Sequence, residues 1–157
     1  SFIMPVRFRT FGDTGISQFV DDIQQGILDL GKDYGANVEL LEAKRNRISD
    51  ILDMKMERLF RETGCSSGDM VLLCSSNLEN WVEAELDDFI RLSNKNLYSL
   101  PADRTGYSTM LKYKGLEKEI VILLVKDAFD REKQILFQVY IGASRAISRL
   151  LVLNVED

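Results

Sequence analysis

Two short segments of the chain carry residue types that bind phosphate groups. They are residues 109–117 (TMLKYKGLE) and residues 140–146 (YIGASRA), and an apolar stretch typical of a buried strand follows each. Arg145 offers a planar guanidinium that binds two phosphate oxygens together and stays charged at physiological pH. Thr109 and Lys112 offer a hydroxyl and an ammonium, which suit phosphate contacts. Phosphoryl transfer uses such groups, because it needs positive charge opposite the γ-phosphate.

Each of these residues also has an ordinary structural explanation. An arginine in the position of Arg145 can pair on the surface or between helices, and Glu117 can be a solvated loop carboxylate. The tetrapeptide KGLE is short enough to occur by chance. Tyr113 can stack on a nucleobase or pack, whereas Trp81 lies in a predicted apolar stripe and is interpreted as core. Position alone therefore assigns no chemistry.

The elements that would position these segments alternate between strands and helices. Continuous apolar runs predict strands covered on both faces at residues 70–74, 120–125 and 150–155. Periodic apolar stripes predict four helices: residues 16–30 before Gly31, a stripe between residues 38 and 60 that ends near Gly64, a helix capped by Asn77 with a stripe over 81–90, and residues 134–147. Less regular strands are predicted at residues 4–10, before a turn at 12–15, and at 97–100 and 107–111. The pattern predicts an α/β fold with a mostly parallel sheet sandwiched by helices.

Composition limits the size and location of the protein. With 157 residues and 45% hydrophobic content, we expect one domain spanning residues 1–157. No apolar run approaches the roughly 20 residues that cross a bilayer, and the N-terminus lacks the pattern of a secretory signal. We therefore expect a soluble, cytoplasmic protein with no membrane partner.

Composition also excludes several kinds of chemistry. The chain has no histidine, which excludes Ser–His and Cys–His hydrolases and removes the commonest transition-metal ligand. Cys65 and Cys74 lack CxxC spacing, so we expect reduced thiols, no metal site, and burial of Cys74 in a strand. The net charge of −5 argues against tight independent binding to nucleic acid.

In this order and context, residues 109–117 and 140–146 resemble motifs V and VI of superfamily 1 DNA helicases of the UvrD/Rep kind. Residues 109–117 are similar to the motif V form T-I-H-S-F-K-G-L-E, and residues 140–146 to the motif VI form Y-V-A-x-T-R-A. Residues 68–73 (GDMVLL) look like the strand that opens the C-terminal domain of these helicases. The resemblance covers roughly residues 68–155. It implies the second, C-terminal RecA-like domain, a P-loop NTPase-like fold without the P-loop itself.

The resemblance implies a nucleotide-facing role for three residues. Arg145 matches the arginine finger that acts on the γ-phosphate, Glu117 matches a glutamate that accepts a hydrogen bond from the ATP ribose, and Gly115 leaves room for a ligand. The sequence contains neither a GxxxxGK[ST] loop nor the acidic strand end that holds Mg²⁺. We therefore expect ATP and Mg²⁺ to be held mainly by an absent N-terminal RecA-like domain. The chain would then be a fragment of a longer polypeptide, inactive as an ATPase on its own.

The resemblance also implies a track for single-stranded DNA, formed by Thr109, Lys112 and Tyr113. Here the chain departs from the usual pattern, because Leu111 and Lys112 stand where histidine and serine are common. Residues 75–77 (SSN) likewise replace an arginine that follows the first buried strand in these helicases. The departures and the acidic charge leave an alternative: a degenerate helicase-like module that docks a protein partner and hydrolyses nothing.

Overall fold

The computed structural model describes residues 14–113 and 115–157. The strand predicted for residues 4–10, the first half of the turn predicted at 12–15, and Lys114 of the KGLE tetrapeptide lie outside the described residues.

A parallel sheet forms the centre of the described fold. Its strands are β1 (Val38–Lys44), β2 (Met70–Cys74), β3 (Phe89–Arg91), β4 (Thr105–Thr109), β5 (Lys118–Val125) and β6 (Ala146–Glu156). They pair in the order β1-β6-β5-β2-β4-β3, and every pair is parallel. The helices that cover the sheet are α1 (Thr14–Gln24), α2 (Ile48–Thr63), α3 (Glu79–Glu85) and α4 (Ile135–Ala143). The predicted α/β fold, a mostly parallel sheet sandwiched by helices, is confirmed.

The central strands are apolar without alternation because helices cover both faces of the sheet. In β2, Val71 and Leu73 pack in a hydrophobic cluster with α1 and α4. The intervening Leu72 and Cys74 pack in a second cluster with α2 and α3. All five residues of β2 are buried, which confirms that strand and the predicted burial of Cys74.

Helix α1 is shorter than predicted because a glycine ends it early. Its apolar face, which includes Phe19 and Ile23, is buried as expected. However, Gly26 has a φ of 84°, a left-handed conformation that favours glycine, and its N–H donates to the Ile23 carbonyl at 2.9 Å. The predicted continuation to residue 30 is wrong, and Ile27 beyond the turn is 45% exposed.

Helix α2 ends where the sequence predicts. Gly64 has a φ of 71°, and its N–H donates to the Phe60 carbonyl at 2.9 Å. At 16 residues α2 is the longest described helix, and no helix among the described residues has the length and apolarity to cross a bilayer.

Two strands were missed, and one predicted strand and one predicted cap are wrong. The first strand, β1 (VELLEAK), was missed because it is an outer strand of the sheet. Its charged residues interrupt the continuous apolar pattern by which buried strands are recognised. Phe89–Arg91 pairs with β4 rather than continuing a helix, and residues 97–100 form a turn and loop rather than a strand. Asn77 does not cap α3, because its Nδ2 donates to the Lys126 carbonyl at 2.9 Å. For β1 and Phe89–Arg91, pairing with strands distant in the chain overrides the local preference.

Candidate functional site

The structure distributes the predicted site residues over two opposite edges of the sheet. We call the edge where the parallel strands begin the amino edge and the edge where they end the carboxyl edge. Glu117 directly precedes β5 and Arg145 directly precedes β6, so both lie at the amino edge. Thr109 is the last residue of β4, and Lys112 follows it at the carboxyl edge. The five residues of β2 imply a separation of about 16 Å between the edges.

At the amino edge, the two helicase-like segments meet. Strands β5 and β6 are neighbours, and the Lys118 N–H donates to the Arg145 carbonyl at 3.0 Å. Helix α4 was predicted to run to residue 147, but it ends at Ala143. Arg145 therefore lies in the turn between α4 and β6, where its N–H donates to the Gly142 carbonyl at 3.2 Å. This turn places Arg145 beside the start of β5.

The Arg145 side chain is buried, and one nitrogen of its guanidinium lacks a hydrogen-bond partner among the described residues. The residue is 5% exposed, and its Nη1 has no hydrogen-bond partner among the described residues. Burial in this setting lowers the pKa of Arg145 to about 10, so the guanidinium remains charged at neutral pH. A buried cation without a partner is costly, and an anion that accepts hydrogen bonds would offset that cost. The site therefore fits an anionic group such as a phosphate.

The turn that precedes β5 has an unusual backbone. Gly115 has a φ of 82°, and a Cβ added there would meet no atom within 4 Å. Glycine is therefore favoured by its left-handed backbone, and the space beside it is open. Glu117, two residues later, is exposed. The exposed carboxylate of Glu117 and the buried guanidinium of Arg145 thus flank the adjacent starts of β5 and β6.

The segment between β4 and β5 crosses from the carboxyl edge to the amino edge. Met110 and Leu116 are buried in the cluster beneath α1 and α4, and the Met110 N–H donates to the Cys74 carbonyl at 3.0 Å. Tyr113 has a φ of 60°, is half-buried, and donates its hydroxyl to the Leu92 carbonyl at 2.8 Å. Tyr113 therefore braces this crossing segment against the end of β3.

At the carboxyl edge, the predicted DNA-contacting residues differ in exposure. Thr109 is 8% exposed, whereas the side chain of Lys112 is 51% exposed. The Lys112 Nζ lies 3.4 Å from Oε2 of Glu79, the first residue of α3. The same Glu79 oxygen lies 3.4 Å from Nη1 of Arg91. A phosphate that approached Lys112 would therefore compete with Glu79.

A buried glutamine that the sequence analysis did not single out connects α4 to the carboxyl edge. Gln138 is 2% exposed. Its Oε1 accepts the Ser76 N–H at 2.8 Å, and its Nε2 donates to the Ser76 Oγ at 2.9 Å and to the Lys133 carbonyl at 3.0 Å. One amide within the otherwise apolar α4 segment ILFQVYIGA was the signal that could have identified it.

The turn of residues 75–77 is fixed beside β5 by backbone and side-chain hydrogen bonds. Ser75 is buried, its N–H donates to the Leu124 carbonyl at 2.9 Å, and its Oγ donates to Asn77 Oδ1 at 2.6 Å. Asn77 in turn donates to the Lys126 carbonyl at the end of β5. These three hydrogen bonds give residues 75–77 a structural role at the carboxyl edge.

Comparison with known proteins supports the fold. The amino-acid sequence matches no protein-family model and no curated protein. Among solved structures, the C-terminal domain of a possible DNA helicase from Lactobacillus plantarum WCFS1 is similar, with a TM-score of 0.59 and 17% sequence identity. The similarity covers 94% of this chain and 88% of that chain. The two chains therefore share an α/β fold in which a parallel sheet is covered by helices on both faces.

Proposed function

We propose that this chain is the C-terminal RecA-like motor domain of an ATP-dependent superfamily 1 DNA helicase of the UvrD/Rep kind. The observation that carries the proposal is the buried Arg145 side chain beside the turn at Gly115, whose Nη1 has no hydrogen-bond partner among the described residues. An anion from outside the chain would offset the cost of burying this charge. The arginine finger of a helicase contacts such an anion, the γ-phosphate of ATP. The fold shared with the C-terminal domain of a possible DNA helicase adds support.

In this proposal, ATP lies between the amino edge and a separate N-terminal RecA-like domain. Arg145 faces the γ-phosphate, Glu117 accepts a hydrogen bond from the ribose, and the left-handed turn at Gly115 lets the backbone approach the nucleotide. The N-terminal domain supplies the P-loop and most of the Mg²⁺ ligands, because this sequence contains neither element. Residues 1–157 act as one domain of a longer cytoplasmic polypeptide.

The proposed track for single-stranded DNA runs along the carboxyl edge and the crossing segment. Lys112 contacts the phosphate backbone there, with Thr109 and Tyr113 beside it. Opening and closing of the cleft between the two RecA-like domains then moves the pair along the strand. Because the nucleotide and the DNA occupy opposite edges, the sheet and α4 transmit the motion between them.

Reconstitution tests the proposal. The chain is combined with the P-loop domain of the proposed longer polypeptide, and ATP hydrolysis is measured with and without single-stranded DNA. We expect no turnover from either part alone and DNA-stimulated turnover from the mixture, because each part holds half of the ATP site. A folded mixture without turnover would contradict the motor function.

The alternative function, a non-enzymatic protein-binding module, is favoured by one observation. Glu79 already neutralises Lys112, the exposed cation of the proposed DNA track. Binding of single-stranded DNA at increasing salt separates the two functions, because contacts to phosphates weaken as salt rises. Salt-dependent binding supports the motor domain, and its absence in the reconstituted pair supports the module.

A further inference from the structure

We propose that Gln138 is a positioning residue that sets the ion pair between Glu79 and Lys112 and thereby weakens binding of single-stranded DNA at the carboxyl edge. The inference rests on the proposed function, because it takes Lys112 as a contact to the phosphate backbone. It concerns the strength of that contact rather than its existence.

The first step of the argument is the fully satisfied amide of Gln138. Its oxygen and both of its N–H groups are engaged, two of the three hydrogen bonds being to Ser76. A buried amide without these partners would cost free energy, so the side chain holds one orientation. Gln138 therefore fixes both the backbone and the hydroxyl of Ser76.

The second step leads from Ser76 to Glu79. The Ser76 carbonyl accepts the N–H of Glu79, which closes the single turn of 3₁₀ helix that precedes α3. The Ser76 N–H thus donates to Gln138, and the Ser76 carbonyl in turn accepts the N–H of Glu79. The position of the first residue of α3 consequently depends on a side chain of α4.

The third step is the competition between Glu79 and DNA for Lys112. The Glu79 side chain is 29% exposed, and its Oε2 lies 3.4 Å from the Lys112 Nζ. A DNA phosphate must displace this carboxylate or share the ammonium with it. Exposed ion pairs are weak, so we expect loss of the Glu79 charge to increase DNA affinity by about threefold.

The remaining anchors of the turn make the effect of Gln138 specific. Ser75 and Asn77 hydrogen-bond to β5 independently of Gln138. Replacing Gln138 with methionine, which has a similar volume and no hydrogen-bonding groups, should therefore release Ser76 and Glu79 while the turn stays attached to the sheet.

The experiment measures the affinity of the whole chain for a fluorescent oligothymidylate by anisotropy, between about 50 and 200 mM salt. Glu79→Gln and Gln138→Met should each raise the affinity by about threefold, and the double variant should bind no more tightly than Glu79→Gln. Glu83→Gln is the matched control, because Glu83 pairs with Arg91 at 2.7 Å and has no ion pair to Lys112 among the described residues. We expect this control to bind like the unmodified chain.

The outcomes separate this inference from the proposed function. If Glu79→Gln raises the affinity and Gln138→Met does not, or if their effects multiply, the positioning role is wrong while the DNA track stands. If neither the unmodified chain nor Glu79→Gln binds in a salt-dependent way, the DNA track is wrong, and this inference with it.

A second variant guards against simple loss of folding. Ser76→Ala removes the hydroxyl but keeps the N–H that Gln138 Oε1 accepts, so it should retain the unmodified affinity. A destabilised protein would bind DNA less tightly, whereas the proposal predicts tighter binding for Gln138→Met. A threefold gain for Ser76→Ala, or a loss for Gln138→Met, would overturn it.

Discussion

The buried polar groups at the two edges of the sheet differ in whether they are hydrogen-bonded. At the carboxyl edge, Gln138 satisfies Ser76 with two hydrogen bonds. At the amino edge, the buried Nη1 of Arg145 has no partner among the described residues. Glu39 and Arg58 also contain a buried atom without a hydrogen bond, but these two side chains form an ion pair with each other at 2.7 Å. Among these three buried atoms, the Arg145 Nη1 belongs to a side chain without an ion pair among the described residues, so it is the one that the proposed ligand would satisfy.

The largest expected effect concerns the helix that joins the two edges. A Cβ added at Gly142 of α4 would lie 2.8 Å from Leu123 Cδ2 and 3.1 Å from Met110 Cγ. Gly142→Val should therefore lower the free energy of unfolding by about 3 kcal/mol, because α4 cannot approach β5. Denaturation in urea measures the loss. Gly68→Ala is the control, since an added Cβ there meets no atom within 4 Å, and an equal loss in both variants would contradict the account.

Removal of the Arg145 charge should raise, rather than lower, the free energy of unfolding. Arg145→Met replaces a buried guanidinium, whose Nη1 has no hydrogen-bond partner among the described residues, with an apolar side chain of similar length. It should therefore raise the free energy of unfolding by about 1–3 kcal/mol. Arg149→Met at the same edge should give no such gain, because Arg149 is half-buried and pairs with Glu62 at 3.7 Å. Both values come from urea denaturation. Destabilisation by Arg145→Met would mean that the chain itself satisfies this charge.

A smaller effect is expected for the exposed cation at the carboxyl edge. Lys112→Gln should reduce the slope of log affinity for single-stranded DNA against log salt by about one, since one phosphate contact is lost. Lys32→Gln changes the net charge equally, but Lys32 lies before β1 at the amino edge and pairs with Asp22. Equal slopes for the two variants would show that Lys112 does not contact the DNA backbone.

The smallest expected effect concerns the alkylation rates of the two cysteines, which depend on how deeply each thiol is buried. Burial raises the pKa of the Cys74 thiol to about 12, whereas Cys65 is half-buried at the amino edge. Alkylation by iodoacetamide at neutral pH should modify Cys65 at least about tenfold faster, because Cys74 is both protonated and inaccessible. Mass spectrometry of the time course measures both rates. Equal rates in the folded chain would contradict the buried position of β2.

The central sheet could be predicted from the sequence, while its margins could not. Continuous apolar runs such as residues 70–74 arise when both faces of a strand are covered, and few other elements produce them. Val38–Lys44 and Phe89–Arg91 lie at the two ends of the described strand order, where charged residues and short length obscure the pattern. Their identity as strands depends on partners distant in the chain.

The sequence could propose candidate site residues but not their arrangement. Motif order identified Arg145 and Glu117, and the parallel topology places both at the amino edge. The burial of Arg145 was not predictable, because it depends on how the turn after α4 packs. The hydrogen bonds of Gln138 to Ser76 join residues 62 positions apart, a separation that no local pattern reveals.

Turnover of the reconstituted pair tests the central claim most directly. Arg145→Ala should lower the rate of ATP hydrolysis by about a thousandfold or more, because the charge opposite the γ-phosphate is removed. Arg149→Ala, at the same edge, should leave the rate near that of the unmodified pair. Unchanged hydrolysis by Arg145→Ala would contradict the assignment of the amino edge as the nucleotide-facing surface.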